Sequence, residues 1–328
     1  MTRRTAVWGA AVLALAGCAG APAGTPPTDD AVAPATTVAP ADVPAARVVV
    51  TYSVLGALVR DLVGDAADVV VVVPDGTDPH AYEPSAKDVE AITTADVVVA
   101  NGLGLEEGLE DVLDAAEEAG TVVFHVADHV TVREMGHDDG HDHGSDDGHD
   151  HGSDDEHDHA AGDPHLWLSP ATLAEAVPAM GDAIGAAIGA DLSGAVAEVV
   201  EDLADLDASI AALVGALDAC ELVTGHDELG YFADRYGCEV VGTIIPSLGT
   251  TAEATAADLA ELREVAAERH TAAIFTGLGT PPEVAARVAA DVGVPLVELR
   301  THAIGPAGTY ESLLLDLART IVDALDGA

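Results

Sequence analysis

The chain has 328 residues, with 58 acidic and 12 basic side chains and a formal net charge of -46 at pH 7. So acidic a protein repels phosphate groups, which argues against nucleic acid or an anionic membrane surface as a partner. Hydrophobic residues make up 49% of the sequence, enough for the core of one large domain or two modest ones.

The N-terminus has the features of an export signal. Arg3 and Arg4 precede an apolar run at residues 6–16, and Leu-Ala-Gly stands directly before Cys18. The apolar run is too short to span a bilayer, and small residues before a cleavage point are typical of signal peptides. Leu-Ala-Gly-Cys resembles the bacterial lipobox, so we interpret residues 1–18 as a signal peptide whose Cys18 is lipidated. The alternative is an ordinary signal peptide with an incidental cysteine.

A tether is predicted next. Residues 19–46 consist mostly of Ala, Pro, Thr, Gly and Asp. This composition has too little apolar bulk to offset the entropy of ordering the chain. We expect a flexible segment that holds a folded, extracytoplasmic body near the membrane.

Eight short runs rich in β-branched residues alternate with helical stretches, in two sets of four. Apolar strands that alternate with helices are typical of parallel sheets covered on both faces. We therefore predict an α/β fold of two lobes, at residues 47–190 and 219–328. The predicted strands are 47–51, 68–73, 96–100, 121–126, 221–224, 239–244, 272–275 and 295–299.

A long helical region at residues 169–219 lies between the two sets and is divided by glycines near 189–194. From Ala195 to Val214 there is no Gly or Pro, and apolar residues recur at helical spacing over roughly 30 Å. We predict that one stiff helix within residues 191–218 joins the lobes and limits how far they can close.

Two helix starts show capping-box spacing. Ser85 is followed three residues later by Asp88, and Thr250 by Glu253. In a capping box the two side chains bond each other's backbone N–H groups. We predict that a helix begins after each of these pairs.

One low-complexity segment, residues 137–159, carries ten carboxylates and no Lys or Arg. The sequence HDHGSDD at 141–147 recurs at 149–155. A polar repeat cannot form a core, so we predict a mobile loop inserted in the first lobe. The loop holds seven of the fourteen histidines: His137, His141, His143, His149, His151, His157 and His159.

Four histidines outside this segment follow predicted strands. Asp-Pro-His occurs twice, ending at His80 and His165, and proline stiffens the backbone before each imidazole. His226 leaves the first strand of the second lobe, and His302 follows its last strand. Because ligands of open α/β sheets bind at the carboxyl ends of the strands, two imidazoles from each lobe could close around one divalent ion.

Several motifs resemble those of the zinc and manganese solute-binding proteins of ABC transporters. The motifs are residues 79–85 (PHAYEPS), 163–170 (DPHLWLSP), 224–232 (TGHDELGYF), 101–106 (NGLGLE) and 309–310 (TY). The likeness covers nearly all of the chain after the tether. The resemblance implies two lobes joined by a long backbone helix, a metal ion held between them, and a membrane permease as partner.

The resemblance also implies the ligands. The first three histidine ligands of the family fall on His80, His165 and His226. The fourth family ligand is usually Asp or Glu in a loop before the last helix, and our alignment places His302 there. We expect His302 to be the fourth ligand, although this departure leaves solvent or a neighbouring side chain as alternatives.

The metal follows from the ligand type. Imidazoles suit zinc and carboxylates favour manganese, so a fourth histidine favours Zn²⁺, with Mn²⁺ as the alternative. Zinc members of the family often carry a histidine-rich insertion. We expect the segment at 137–159 to act as an accessory that concentrates ions through weak ligands; the alternative is an acidic loop without effect on uptake.

The remaining candidates have supporting roles. Three histidines are interpreted as structural or surface residues: His125, His129 and His270. Three carboxylates are close enough in sequence to orient ligand imidazoles: Asp78, Asp163 and Glu83. In an exported protein the pair Cys220 and Cys238 permits one disulfide.

Two other classes of function compete with metal uptake. A secreted zinc hydrolase would need an open coordination position and a general base, and the sequence has no His-Glu-x-x-His. Four protein ligands close a site, so we predict that the protein is not an enzyme. A surface metal buffer or adhesin without a transporter is the other alternative.

Overall fold

Residues 45–134, 162–305 and 308–327 are described by a computed structural model of the protein. Cys18, the signal peptide, nearly all of the tether and the seven histidines of 137–159 lie outside the described residues. Within the described ranges, no helix combines the length and the apolar character needed to cross a membrane.

The first sheet has four parallel strands in the order β2-β1-β3-β4. Its valines at 48–50 and 97–99 are fully buried, as expected for a sheet with helices on both faces. Its strands and helices are β1 (Arg47–Tyr52), α1 (Ser53–Val63), β2 (Asp68–Val73), α2 (Ala86–Thr93), β3 (Val97–Ala100), α3 (Glu110–Glu118) and β4 (Val122–His125).

Two consecutive helices follow, α4 (Pro170–Ile188) and α5 (Ser193–Val214). The Ser169 side chain caps α4, and Gly189 ends it in the left-handed conformation at φ 70°. With 22 residues, α5 is about 33 Å long. It buries one stripe at helical spacing: Val199, Leu203, Leu206, Ile210 and Val214.

The second sheet repeats the topology of the first, with parallel strands in the order β6-β5-β7-β8. A disulfide joins Cys220, just before β5, to Cys238, just before β6, with a Cα–Cα distance of 4.5 Å. The remaining strands and helices are β5 (Glu221–His226), α6 (Gly230–Tyr236), β6 (Glu239–Ile245), α7 (Ala256–Glu268), β7 (Ile274–Thr276), α8 (Pro282–Val292), β8 (Leu296–Glu298) and α9 (Tyr310–Asp326).

The predicted α/β fold with two parallel sheets is confirmed, and all eight strands lie within about two residues of their predicted positions. Helix α5 packs on α1 and α4 of the first lobe and on α6 and α9 beyond it. Because α9 also contacts α1, the last helix returns to the first lobe. The lobe boundaries at 190 and 219 stay a prediction.

The two capping predictions have different outcomes. Ser85 and Asp88 form the capping box of α2, as predicted. The box predicted at Thr250 is wrong, since α7 begins at Ala256 and is capped by Thr255. The spacing Thr-x-x-acid occurs at both threonines, but the Thr250 hydroxyl instead donates to Asp78 Oδ2 of the other lobe at 2.6 Å. A tertiary contact therefore selects between two equivalent local signals.

Candidate metal centre

Four histidines reach one buried region from both lobes. His80 follows β2, and His165 begins the short 3-10 turn Leu166–Leu168 before α4. His226 is the last residue of β5, and His302 lies in the loop between β8 and α9. The exposed fractions of the four residues are 7%, 0%, 0% and 3% in chain order. The carboxyl ends of both sheets thus supply imidazoles to the same interior space.

Three of these imidazoles lie close enough to share an ion. His165 Nε2 is 3.3 Å from His80 Nε2 and 3.3 Å from His226 Nε2. All three ligand atoms lie within 4.8 Å of one another. With Zn–N bonds of 2.0–2.1 Å, the edge of a coordination tetrahedron measures about 3.3–3.4 Å. The two distances from His165 Nε2 therefore match the spacing of ligands around a zinc ion, and the His80 and His226 rings lie slightly farther apart, with centroids separated by 5.8 Å.

His302 caps this group from a greater distance. Its ring centroid lies 6.4 Å from that of His80 and 6.3 Å from those of His165 and His226. Imidazoles that bind one tetrahedral zinc ion through nitrogen have centroids about 5.2 Å apart. The His165–His226 centroids match this value at 5.2 Å, whereas His302 stands about 1 Å too far away. The structure thus brings His302 to the site but not into the close group.

Asp163 fixes the orientation of His165. Its Oδ1 accepts from the imidazole Nδ1–H at 2.8 Å and from the backbone N–H of His165 at 3.0 Å. Arg133 bonds the other oxygen at 3.3 Å and reaches Asp234 of the second lobe at 2.8 Å. A Cβ at Gly230 would lie 2.5 Å from Asp163 Oδ2, so only glycine fits there. An imidazole that donates from Nδ1 keeps the Nε2 lone pair free for a metal.

The other two carboxylates that we expected to orient imidazoles do not do so. Asp78 accepts from the backbone N–H of His80 at 3.0 Å, so it fixes the loop and not the ring. Glu83 is exposed and has no imidazole contact among the described residues. Both side chains are within three residues of His80 in sequence, but Asp78 is engaged by the His80 backbone N–H and the Thr250 hydroxyl, and Glu83 faces solvent.

Burial keeps the imidazoles neutral. It lowers the pKa of His80 and of His226 to about 4, although nearby carboxylates such as Asp78 oppose the shift. Burial also lowers the pKa of His165 and His302 well below 6.5, and neighbouring histidines add to the effect. At neutral pH all four rings therefore carry lone pairs, as metal binding requires.

The sequence matches the family described as zinc-uptake complex component A, periplasmic (ZnuA), over residues 48–324. The chain belongs to this family. The resemblance to zinc and manganese solute-binding proteins is thereby confirmed.

Individual relatives of the family agree in length and fold. Manganese-binding lipoprotein MntA of Halalkalibacterium halodurans is 25% identical over 283 residues, which are 84% of this chain and 86% of that one. High-affinity zinc uptake system protein ZnuA of Bacillus subtilis is 28% identical over 258 residues, 78% of each chain. The structure of the periplasmic zinc binding protein TroA from Treponema pallidum has a TM-score of 0.72 and 25% identity, and the match covers 85% of this chain and 99% of that one.

Glu228 is a site residue of this family member that we did not predict. It is 1% exposed, and burial raises the pKa of its carboxyl to about 8, with the hydrogen bond from Thr301 opposing the rise. Its Oε1 lies 3.8 Å from His226 Nδ1 and its Oε2 lies 3.8 Å from His302 Nδ1. The signal available in the sequence was an acidic residue two positions after a candidate ligand.

Trp167 and Asn101 hold the loops that carry the histidines. Trp167 Nε1 donates to the carbonyl of Thr301 at 2.8 Å, and Tyr310 donates to the carbonyl of Trp167 at 2.7 Å. Asn101 Nδ2 donates to the carbonyl of Pro164 at 2.8 Å. These bonds tie the peptides next to His165 and His302 to each other and to the first sheet.

The three histidines interpreted as structural or surface residues lie outside the site. His125 Nε2 is 2.9 Å from Glu117 Oε1, and the ring of His129 stacks on Phe124 with centroids 4.5 Å apart. His270 is exposed and has a left-handed backbone at φ 52°. These positions agree with the structural or surface roles that we expected.

Proposed function

We propose that the protein captures Zn²⁺ outside the cell and delivers it to the permease of an ABC importer, anchored to the membrane through a lipid on Cys18. The observation that carries this proposal is the buried triad of His80, His165 and His226, in which His165 Nε2 lies 3.3 Å from His80 Nε2 and 3.3 Å from His226 Nε2 of the other lobe. Family membership and an N-terminal lipobox support export and uptake.

His302 completes the proposed site. Its Nε2 is buried without a hydrogen-bond partner, and its ring is almost equidistant from the other three. We expect the loop after β8 to move by about 1 Å when the ion binds, so that four imidazoles form one tetrahedron. Four nitrogen ligands favour zinc; manganese is the alternative, because one relative is named for manganese.

The arrangement supports transport and not catalysis. A zinc hydrolase needs an open position on the metal and a general base beside it. Within the described residues, the close group of ligand atoms consists of His80, His165 and His226 and contains no carboxylate. The His302 ring lies 6.3 Å from the His165 ring, next to this group. We therefore propose that the protein is not an enzyme. A surface buffer or adhesin would share this site, but unlike a transport protein it would not co-purify with a permease.

Metal titration tests the proposal. We expect one tight zinc ion per chain, because the two lobes supply a single set of four imidazoles. Competition with a chromophoric chelator measures both stoichiometry and affinity, and parallel titration with Mn²⁺ tests the alternative. A His270→Ala variant is the control, since this exposed histidine lies away from the site. The absence of a tight equivalent would contradict the proposal.

Deleting residues 137–159 is expected to remove several weak zinc equivalents while the tight site remains. Glu134 and Gly162 pair as an isolated antiparallel bridge, and the deletion leaves only Met135, Gly136, Ala160 and Ala161 between them. Four residues are enough for a hairpin loop, so the flanking structure should survive. Zinc titration of the deleted and full-length proteins measures both classes of site. Loss of the tight equivalent would show that a histidine of the deleted segment is a ligand.

A further inference from the structure

Three buried polar atoms without hydrogen-bond partners surround the second-lobe half of the site. They are His226 Nδ1, Glu228 Oε2 and His302 Nε2. An unpaired buried polar atom costs free energy, and native structures contain few of them. Three in one place indicate groups that are arranged for a partner which satisfies them together.

Glu228 stands behind two of the imidazoles. Its Oε1 lies 3.8 Å from His226 Nδ1 and its Oε2 lies 3.8 Å from His302 Nδ1, so it approaches the ring nitrogens that do not form the Nε2 group. The Thr301 hydroxyl bonds this carboxylate and also lies 2.9 Å from His302 Nδ1. Glu228 can therefore act on His226 directly and on His302 through the Thr301 hydroxyl.

In the first lobe, a carboxylate already forms a hydrogen bond with the Nδ1 atom of a candidate ligand histidine. Asp163 accepts from His165 Nδ1 at 2.8 Å and leaves Nε2 free. Asp163 also has Arg133 as a counter-charge. Glu228, by contrast, pairs with no Arg or Lys among the described residues, so a bound cation would be the charge that opposes it.

We propose that Glu228 is a positioning residue of the metal site, which accepts from His226 Nδ1–H and, through Thr301, from His302 Nδ1–H. In this role it selects the tautomer with a free Nε2 on both second-lobe histidines and adds a negative charge close to the ion. The contacts shorten from 3.8 Å when the ionised carboxylate of Glu228 turns towards the two Nδ1–H groups of the metal-bound imidazoles. This inference rests on the proposed zinc site and extends it to a residue that does not bind the ion.

Glu228→Gln tests the proposal, because it keeps the side-chain shape, removes the charge and leaves one acceptor oxygen where two are needed for His226 and His302. Loss of an outer hydrogen-bond partner of a metal ligand typically lowers affinity about 10–100-fold, and we expect this loss in zinc competition titrations at pH 8 or above, where Glu228 ionises. Glu264→Gln, on the exposed face of α7, is the matched control and should leave affinity unchanged. Thr301→Val interrupts only the path to His302, so its expected loss is smaller than that of Glu228→Gln.

A spectroscopic readout separates positioning from a general structural role. In zinc-loaded, ¹⁵N-histidine-labelled protein, long-range ¹H–¹⁵N spectra should show protonated Nδ1 at His226 and His302, and Glu228→Gln should shift the His226 Nδ1 resonance. If wild type binds no zinc, the proposed function fails. If wild type binds tightly but Glu228→Gln matches Glu264→Gln in affinity and spectrum, only the role of Glu228 is overturned. Circular dichroism melting of the metal-free variants checks that both remain folded.

Discussion

Replacing His165 with alanine is expected to weaken zinc binding by more than the 10–100-fold that loss of an outer-shell partner costs. His165 is the centre of the triad, since its Nε2 lies 3.3 Å from the Nε2 of both His80 and His226. Its removal also leaves Asp163, which is fully buried, without the imidazole that it orients. Chelator competition measures the affinity.

A matched variant separates the ligand role from the general loss of an imidazole. His125→Ala removes a partly buried histidine whose Nε2 lies 2.9 Å from Glu117 Oε1, outside the metal site. We expect wild-type affinity for His125→Ala and a large loss for His165→Ala. Equal affinities for the two variants would mean that His165 is not a ligand.

Zinc affinity is expected to fall as the pH drops from 8 to 4. The pH values at which the fall begins and steepens are set mainly by the pKa values of buried carboxyl groups. Ordinary imidazoles, with a pKa near 6.5, would start the loss at about pH 7 and continue it at lower pH. Burial instead lowers the pKa of His80 and His226 to about 4, so protons compete for these ligands only near that pH. The imidazoles alone therefore predict nearly constant affinity down to about pH 5.

The buried carboxyl groups change the profile above pH 5. Burial raises the pKa of Glu228 to about 8 and that of Asp163 to about 6 in the metal-free protein. Below these values each carboxyl is protonated, and a nearby cation must expel the proton when it binds. Affinity should thus fall about tenfold per pH unit below pH 8, and more steeply below pH 6.

Chelator competition at half-unit pH steps, with the chelator calibrated at each pH, measures this profile. Glu228→Gln cannot ionise, so its affinity should be flat between pH 8 and 6 and lower than wild type at pH 8. A flat wild-type profile from pH 8 to 5 would contradict the carboxyl contribution. Parallel slopes in wild type and Glu228→Gln would assign the proton to another group.

Much of this fold can be read from local chain properties. Runs such as Val69–Val73 and Val97–Ala100 are short, β-branched and apolar, and each forms a buried or half-buried strand of a parallel sheet. The positions of His80 and His226 after strands follow from the same pattern, because the carboxyl ends of parallel strands share one edge. Repeated Asp-Pro-His and the order of the motifs then indicate the family.

Contacts between distant segments decide which residue caps a helix and which carboxylate reaches an imidazole, where local sequence signals are equivalent. Thr250 and Thr255 have the same spacing to an acidic residue, and the bond from Thr250 to Asp78, 172 positions away, leaves the cap to Thr255. Asp78 and Asp163 occupy identical Asp-Pro-His motifs, yet only Asp163 reaches its imidazole, with Arg133 holding the carboxylate. Glu228 gains its place behind two imidazoles because β5 and the loop after β8 come together in space. Periodicity and composition depend on neighbours along the chain, whereas the convergence of side chains depends on how two lobes pack, and no local pattern encodes that distance.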